Sequence, residues 1–283
     1  LTLKQDVKQI EEVIKVGYGV QKKQDVTGAV TQLGGDDLAD RPVIGVDQAM
    51  QGKAAGVQIT SNSGSPGGSS TVRIRGTGTI NNADPLYVVD GIPQGGTTAP
   101  KINPSEIKSI SVLKDASACA IYGSRAANGV ILITTREGKM GKKSKDCEGS
   151  SSSELSFDAY YGIQSAWKRL DVTNASEYVE TYRANGLQVP TELPSYVDTT
   201  GEGTDWQDQI FRQAVIQRYT LGYETGSENS SFRMSGSYLS QEGIVKGSDY
   251  NSITGGGRGI HNLKKWLTIS ENFGFSTEHR SIL

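Results

Sequence analysis

The second half of the chain is dominated by long stretches in which apolar and polar residues alternate. From Glu154 onward the apolar side chains occupy every second position: Leu155, Phe157, Ala159, Tyr161 and Ile163. The same alternation recurs within 215–224, 232–238 and 267–275. A period of two predicts β-strands with one apolar and one polar face, and a slip of one residue would exchange the faces. Long strands of this kind are typical of the wall of a membrane β-barrel.

The connections between these strands differ in length. Residues 165–213 separate the first two strands, and within them Asn174 begins a capping-box pattern that predicts a helix ending at Gly186. A second short helix is expected at 205–212. The next two strands are joined by a tight polar turn near 227–229. Long loops at one end and short turns at the other are typical of an outer-membrane barrel.

Residues 25–136 carry a different pattern, in which short apolar runs are separated by Gly, Pro, Asn, Asp and Ser. These runs predict the strands of a short mixed sheet at 57–60, 71–74, 86–89, 110–113 and 130–134. Small helices are expected at 47–54, at Asn103–Pro104 and at 116–122. In the last of these, Asp115 would cap the start and Gly123 the end. The pattern predicts a compact α+β domain.

The remaining segments complete a division into four parts. Residues 1–24 form a polar tether with a β-prone patch, and residues 137–153 are charged and then serine-rich, as in a linker. Residues 154–283 are expected to form antiparallel strands. The 130 residues after Ser153 can supply only about four to six strands of a membrane barrel. We therefore expect an incomplete barrel and a piece of a longer chain.

Composition excludes several functional classes. The net charge of −2 gives no general reason to bind nucleic acid. The two cysteines, Cys119 and Cys147, are too few for a disulfide framework or a four-thiolate zinc site, and the two histidines leave little for metal binding or His-based catalysis. We expect Cys119 to be buried and Cys147 to be exposed, and their spacing does not decide whether they pair. The glycine-rich segment 61–76 lacks the lysine of a phosphate-binding loop and predicts a turn. We therefore expect neither an enzyme nor a bound cofactor or metal.

Three arginines in the α+β domain are candidates for a functional contact. Arg73 and Arg75 lie two apart on one predicted strand and so project to the same face, and Arg125 follows a predicted helix. Guanidinium groups suit paired contacts with carboxylates, either on an anionic substrate or on an enclosing wall, and we favour the wall. Asp90-Gly91 is interpreted as a turn and not as a metal or catalytic site.

Several long segments resemble the SusC/RagA-type TonB-dependent outer-membrane transporters. The matching segments are 11–23 (EEVIKVGYGVQKK), 48–60, 61–82, 84–91 (DPLYVVDG), 113–135 (LKDASACAIYGSRAANGVILITT), 204–212 and 238–249. The resemblance covers nearly the whole chain. It implies that the α+β domain is a plug inside a barrel of about 22 strands.

The resemblance also implies partners and a site. A Ton box, gripped by the periplasmic protein TonB, would comprise Glu12, Val13, Ile14, Lys15 and Val16. A short β-prone segment in a flexible tether can add as a strand to a partner sheet. A SusD-like surface lipoprotein would deliver a glycan or peptide, and outer-membrane lipid would surround the barrel. The implied function is TonB-dependent nutrient import, with plug and tether facing the periplasm. The alternative is a plug-like periplasmic binding or signalling module without transport.

Three features depart from the pattern of this family. Lys15 places a charge within the expected Ton box, where apolar residues are usual. Residues 250–260 are poor in strand-forming residues, and the run Gly255–Gly257 predicts a flexible loop or a weakened strand. Glu271 falls on the apolar register of the last strand, and we expect it near a membrane interface because a charge facing lipid is costly.

Overall fold

The computed structural model describes residues 13–16, 19–22, 30–35, 38, 45–80, 82–95, 100–138, 152–188 and 203–282. Glu12, Cys147 and most of the expected linker lie outside the described residues. Two units are present, which we name the plug unit (residues 30–138) and the wall (the long strands after residue 151). The plug unit packs against the polar face of the wall.

The first half of the chain contains short elements. The strands are β1 (Val13–Val16), β2 (Gly19–Lys22), β3 (Val30–Gly34), β4 (Val57–Ser61), β5 (Ser70–Ile74), β6 (Leu86–Val89), β7 (Ile92–Pro93), β8 (Ile107–Leu113) and β9 (Val130–Thr135). The helices are α1 (Val46–Met50), α2 (Ala116–Cys119) and two 3-10 helices, Pro104–Glu106 and Ala120–Ala126. Strands β1 and β2 form an antiparallel hairpin, as do β4 and β5.

The core of the plug unit is a five-stranded sheet of order β3-β8-β9-β6-β7. Only β6 and β9 are parallel to each other, so the predicted short mixed sheet is confirmed. Alternate residues of β9 enter two separate cores, Ile131 and Ile133 on one face, Val130 and Leu132 on the other. Because both faces are covered, the central strands are almost continuously apolar.

The expected elements of the plug unit are present, with three differences at the helices. The helix expected at 47–54 ends at Met50. Asp115 does not cap α2, because its carboxylate accepts a hydrogen bond from Arg75 at 2.6 Å instead. Gly123 adopts a positive φ of 70° as expected, but it forms a kink inside the second 3-10 helix and the chain continues to Ala126.

The wall is an open antiparallel sheet in which strands follow each other in chain order. Its strands are β10 (Ser152–Gln164), β11 (Ala214–Gly226), β12 (Ser230–Glu242), β13 (Asp249–Lys264) and β14 (Leu267–Ser281). The long connection after β10 carries α3 (Ala175–Ala184) and α4 (Trp206–Ile210). Residues 227–229 and 265–266 make tight turns at the opposite, short-turn end. The antiparallel strands of a partial barrel, with loops and turns segregated to two ends, are therefore confirmed. Among the described residues, no helix combines the length and apolar character needed to cross a membrane.

The two faces of the wall differ as the alternation predicts. One face exposes large apolar side chains, including Leu155, Phe157, Ile163 and Phe275. The opposite face carries small and polar residues, several of them buried: Thr220, Ser231, Gln241 and Ser252.

The prediction of a loop or weakened strand at Gly255–Gly257 is wrong. These glycines lie in the middle of β13, which runs for 16 residues and pairs with neighbours on both sides. A Cβ at Gly257 would lie 2.4 Å from the ring of Phe273 on β14, and one at Gly255 would lie 2.6 Å from Phe275. Glycine is therefore needed because aromatic rings of the neighbouring strand lie directly over the backbone, while backbone pairing on both edges maintains the strand.

The capping box predicted for α3 is present and gives a modest stability prediction. Asn174 Oδ1 accepts a hydrogen bond from the Glu177 N–H at 2.8 Å, and Glu177 accepts one from the Asn174 N–H at 3.0 Å. We expect Asn174→Ala to destabilise this helix by about 1 kcal/mol, because it removes an N-terminal cap. Faster amide exchange across 175–184 in the full-length protein would show this, whereas the exposed control Glu180→Gln should leave exchange unchanged.

Candidate functional site: the interface between the plug unit and the wall

An aspartate at a turn of the plug unit contacts two side chains of the wall. Asp90 and Gly91 form the two-residue turn between β6 and β7, with φ of 49° and 89°, so the predicted turn is confirmed. Asp90 Oδ1 lies 2.8 Å from Nη1 of Arg258 on β13, and Oδ2 accepts a hydrogen bond from Asn272 at 3.0 Å. Thr135 donates both its N–H, at 2.9 Å, and its hydroxyl, at 2.6 Å, to the same carboxylate.

The guanidinium of Arg258 bridges two carboxylates of the plug unit. Its Nη2 lies 2.8 Å from Oε1 of Glu137, just after β9. The side chain of Asp90 is 3% exposed and that of Arg258 is 16% exposed. Charged groups this deeply buried are stable only when paired and hydrogen-bonded. Asp90, Glu137 and Arg258, which we name the Arg258 cluster, therefore form a mostly buried ionic connection between the two units.

A second arginine of the wall lies one strand away. Arg233 on β12 pairs with its cross-strand neighbour Glu224 at 2.6 Å, and both side chains are mostly buried. Glu106 of the plug unit faces this pair. Burial raises the pKa of the Glu106 carboxyl above its ordinary value, while the Ser235 hydroxyl and the charge of Arg233 act in the opposite direction. We name Glu106, Glu224 and Arg233 the Arg233 cluster.

Asn103 fixes the 3-10 helix that carries Glu106 onto the wall. Its Oδ1 accepts a hydrogen bond from the Ser105 N–H at 3.1 Å, which caps the helix as the sequence predicts. Its Nδ2 donates to Thr220 Oγ1 of β11 at 2.8 Å. Since one side chain both caps the helix and binds the wall, the position of Glu106 is set from its N-terminal side.

Close backbone packing occurs where the β4–β5 loop meets the other end of the wall. The N–H of Gly67 donates to Gln241 Oε1 at 3.1 Å, and the ring of Tyr250 lies beneath the Cα. Both wall residues lie near the end with the long connections, whereas Asp90 contacts the wall nearer the short turns. The plug unit thus spans most of the strand length.

A substitution at Gly67 tests this close packing. Gly67 has φ of 61°, and an added Cβ would lie 2.2 Å from the Tyr250 ring. We expect Gly67→Ala to loosen the loop by about 2–4 kcal/mol, from left-handed strain together with overpacking. Exchange of amides across 62–70 measures the effect, with Gly64→Ala, where a Cβ meets nothing within 4 Å, as the control. If Gly67→Ala exchanges no faster than Gly64→Ala, the packing argument is wrong.

Two of the three arginines favoured by the sequence pair with carboxylates inside the plug unit. Arg73 pairs with Asp84, and Arg75 pairs with Asp115 at 2.6 Å. Arg125 is exposed on the second 3-10 helix. Contact of Arg73, Arg75 and Arg125 with a barrel wall stays a prediction.

The contacts that do join the two units were missed by sequence reasoning. At the Arg258 cluster the plug unit supplies both carboxylates and the wall supplies the arginine, and at the Arg233 cluster the plug unit supplies Glu106 while Glu224 and Arg233 belong to the wall. One signal was available: Arg233 and Arg258 lie on the polar register of their strands, and buried charges at such positions require counter-charges.

The interface between the plug unit and the wall encloses open space. Two cavities of about 250 and 550 Å³ lie between plug unit and wall. Within the part of the chain that the structure describes, no group of three His, Cys, Asp or Glu side chains is placed to hold a metal ion. Cys119 is buried as expected, and burial raises the pKa of its thiol. The arrangement is suited to holding one unit against another by non-covalent contacts.

Comparison with known proteins agrees with this architecture. Residues 22–130 match the family described as TonB-dependent Receptor Plug Domain. TonB-dependent receptor P3 of Formosa agariphila is 39% identical over 259 residues, which is 90% of this chain and 23% of that protein. TonB-dependent receptor SusC of Bacteroides thetaiotaomicron is 39% identical over 261 residues, 89% of this chain and 24% of that protein.

The fold agrees as well. A structure of the RagAB peptide importer in its open-open state superposes with a TM-score of 0.82 and 29% identity, over 96% of this chain and 33% of that chain. The chain spans about a quarter of the length of the curated relatives it matches. On these grounds the chain belongs to the TonB-dependent receptors of the SusC/RagA type, with its plug domain in the first half and strands of a partial barrel in the second.

Proposed function

We propose that the full-length protein imports a glycan or peptide across the outer membrane, with the plug unit gating the barrel lumen. The observation that carries this proposal is the difference in polarity between the two faces of the wall. One face exposes Leu155, Phe157 and Ile163 at 66–70%, as suits contact with lipid. The other is polar and holds a separately folded plug unit through side-chain contacts that can be broken without covalent chemistry.

The segregation of loops and turns supports an orientation. Short turns face the periplasm in bacterial outer-membrane barrels, and longer loops face outward. The turns at 227–229 and 265–266 would then be periplasmic. The long connection carrying α3 and α4 would lie outside the cell, where a SusD-like lipoprotein could deliver the substrate. Glu271 lies near the second of these turns, at the fifth position of β14.

Energy coupling is proposed to act through residues Glu12–Val16. Strand β1 covers Val13–Val16 and pairs only with the four-residue strand β2 among the described residues. A two-stranded hairpin of this size is marginally stable by itself, so β1 can exchange this partner for a strand of TonB. The likeness to the RagAB peptide importer supports peptide as one substrate class to test. Glycan is the other class that the sequence resemblance to SusC/RagA-type transporters implies.

Uptake by cells that carry the full-length gene tests the proposal. Labelled oligosaccharide and peptide pools are supplied to cells with and without the gene, and accumulated label is measured before and after a protonophore. We expect one pool to accumulate only when the gene is present and the membrane is energised. Equal accumulation in cells lacking the gene, or no effect of the protonophore on either pool, would count against import by this receptor.

A further inference from the structure

The two arginine clusters between plug unit and wall are alike in composition and unlike in bonding. Each contains one guanidinium of the wall and two carboxylates. In the Arg258 cluster both carboxylates contact the guanidinium at 2.8 Å. In the Arg233 cluster Glu224 takes the guanidinium at 2.6 Å, and Oε1 of Glu106 is buried without a hydrogen-bond partner among the described residues. Of the carboxylates in the two clusters, Glu106 is therefore the one with a buried oxygen that accepts no hydrogen bond from the described residues.

The fold prevents Glu106 from moving away to solvent. Asn103 binds Thr220 on one side of the short helix, and Ile107, on the other side, is fully buried in the core of the plug unit. Arg136 also donates its N–H to the carbonyl of Glu106 at 2.8 Å. The backbone at Glu106 is thus held from three directions, so its side chain must stay between the two units.

The charges around Glu106 come from several elements. The guanidinium of Arg233 and the hydroxyl of Ser235, both on β12, face Glu106 directly. Glu224 of β11 acts on it through its pairing with Arg233. Glu106 also lines the cavity of about 550 Å³, whose other charged residues are Asp90, Lys101, Arg136, Arg258 and Glu278. Of these, Asp90 and Arg258 pair with each other, and Lys101 lies 3.8 Å from Glu278. The cavity gives protons a route to the carboxylate.

We propose that protonation of Glu106 strengthens the contact between the plug unit and the wall, which we call the seating of the plug unit. The plug unit is then held more firmly in mildly acidic medium than in alkaline medium. An ionised Glu106 competes with Glu224 for one guanidinium and leaves a buried oxygen unpaired, which is costly. Protonation removes the competing charge and adds an O–H donor. This inference concerns how the plug is held and stands apart from the identity of any substrate and from import itself.

The sign of the pH dependence follows from linkage. Burial raises the pKa of Glu106 in the seated state, so the seated state binds a proton more tightly than the released state. The added stability is fully present below the ordinary glutamate pKa of about 4.3 and is lost as the pH rises through the raised value. Seating should therefore weaken between mildly acidic and alkaline pH.

The test is the urea concentration at which the full-length receptor in a planar bilayer begins to conduct, compared at about pH 4.5, close to the ordinary glutamate pKa, and at about pH 8. For the wild type we expect opening at a urea concentration lower by about 0.5 M at the higher pH. Glu106→Gln, which is isosteric and cannot ionise, should open at the same concentration at both pH values. Glu137→Gln is the matched control, because it neutralises a carboxylate of the Arg258 cluster. It should open at lower urea at both pH values and keep the difference between them.

Three results would overturn the proposal: a wild type whose opening does not depend on pH, a Glu106→Gln variant that keeps the dependence, or a Glu137→Gln variant that loses it. A second measurement covers the case in which a variant assembles poorly. Amide exchange of residues 103–113 in detergent-solubilised receptor, corrected for the intrinsic effect of pH, should show more protection at acidic pH in the wild type and equal protection in Glu106→Gln. Uptake assays remain separate, so failure of import and failure of this inference are distinguishable.

Discussion

Replacing Arg258 with methionine is expected to weaken the seating of the plug unit by about 3–5 kcal/mol, the usual result of removing one partner from a buried ion pair. The reason is not the loss of an attraction alone. Asp90 is 3% exposed, and without the guanidinium it would remain buried with only Thr135 and Asn272 as donors. Glu137 would lose its contact with the guanidinium at the same time. Two carboxylates would then face each other without the guanidinium that lies between them.

Urea-induced opening of the full-length receptor measures this effect, and a loss of that size corresponds to a midpoint lower by about 2 M. Arg212→Met is the control, because Arg212 pairs with Asp249 at 3.0 Å within the wall and both side chains are more exposed. That pair should be worth about 1 kcal/mol or less. A midpoint for Arg258→Met no lower than that for Arg212→Met would show that the cluster does not hold the plug unit.

Asp90→Asn tests the charge of Asp90 in the Arg258 cluster while it preserves the turn between β6 and β7. Asn tolerates a positive φ at this position and is favoured before glycine in a two-residue turn, so the β6–β7 connection should survive. The variant removes the negative charge that faces Arg258. If Asp90→Asn and Arg258→Met weaken seating through the same ion pair, their effects on the urea midpoint should be far from additive.

Local sequence patterns were sufficient for most of the fold. The apolar run Val130–Thr134 is bounded by turn residues and predicts a central strand, because both faces of that strand are buried in the plug unit. The alternation around Leu155 predicts the wall for a different reason, since apolar and polar residues take turns there, as in a strand whose two faces meet different surroundings. The capping pattern at Asn174 also required nothing beyond neighbouring residues.

The interface between the two units depended on contacts that no local pattern contains. Asp90 and Arg258 are 168 positions apart, and only the docking of two finished units brings them together. The local sequence Asp90-Gly91 is fully explained by a turn, so it gives no sign that Asp90 also pairs with Arg258 of the wall. The prediction for the glycines at 255–257 was wrong for a related reason. Their low strand propensity is outweighed by pairing with β12 and β14 and by the rings of Phe273 and Phe275.

Replacing residues 12–16 with a glycine-serine segment of equal length is expected to abolish import by the full-length receptor while leaving its assembly intact. This expectation rests on the proposed Ton box. The substitution removes the side chains of β1, which are the part of the tether with β propensity, and preserves the length over which a pull would act. The sheet of the plug unit begins at β3 and does not include β1, so its core and its contacts with the wall should be unaffected.

The control for this experiment is a second glycine-serine replacement of equal length at residues 23–27, between β2 and β3. Both receptors should reach the outer membrane in wild-type amounts, and only the 12–16 replacement should lose accumulation of labelled substrate. A single change, Ile14→Pro, should act in the same direction because proline removes a backbone donor from the strand. Wild-type uptake by the 12–16 replacement would show that TonB engages another segment. Equal loss in both replacements would show that the tether acts through its overall composition, and not through a strand formed by residues 13–16.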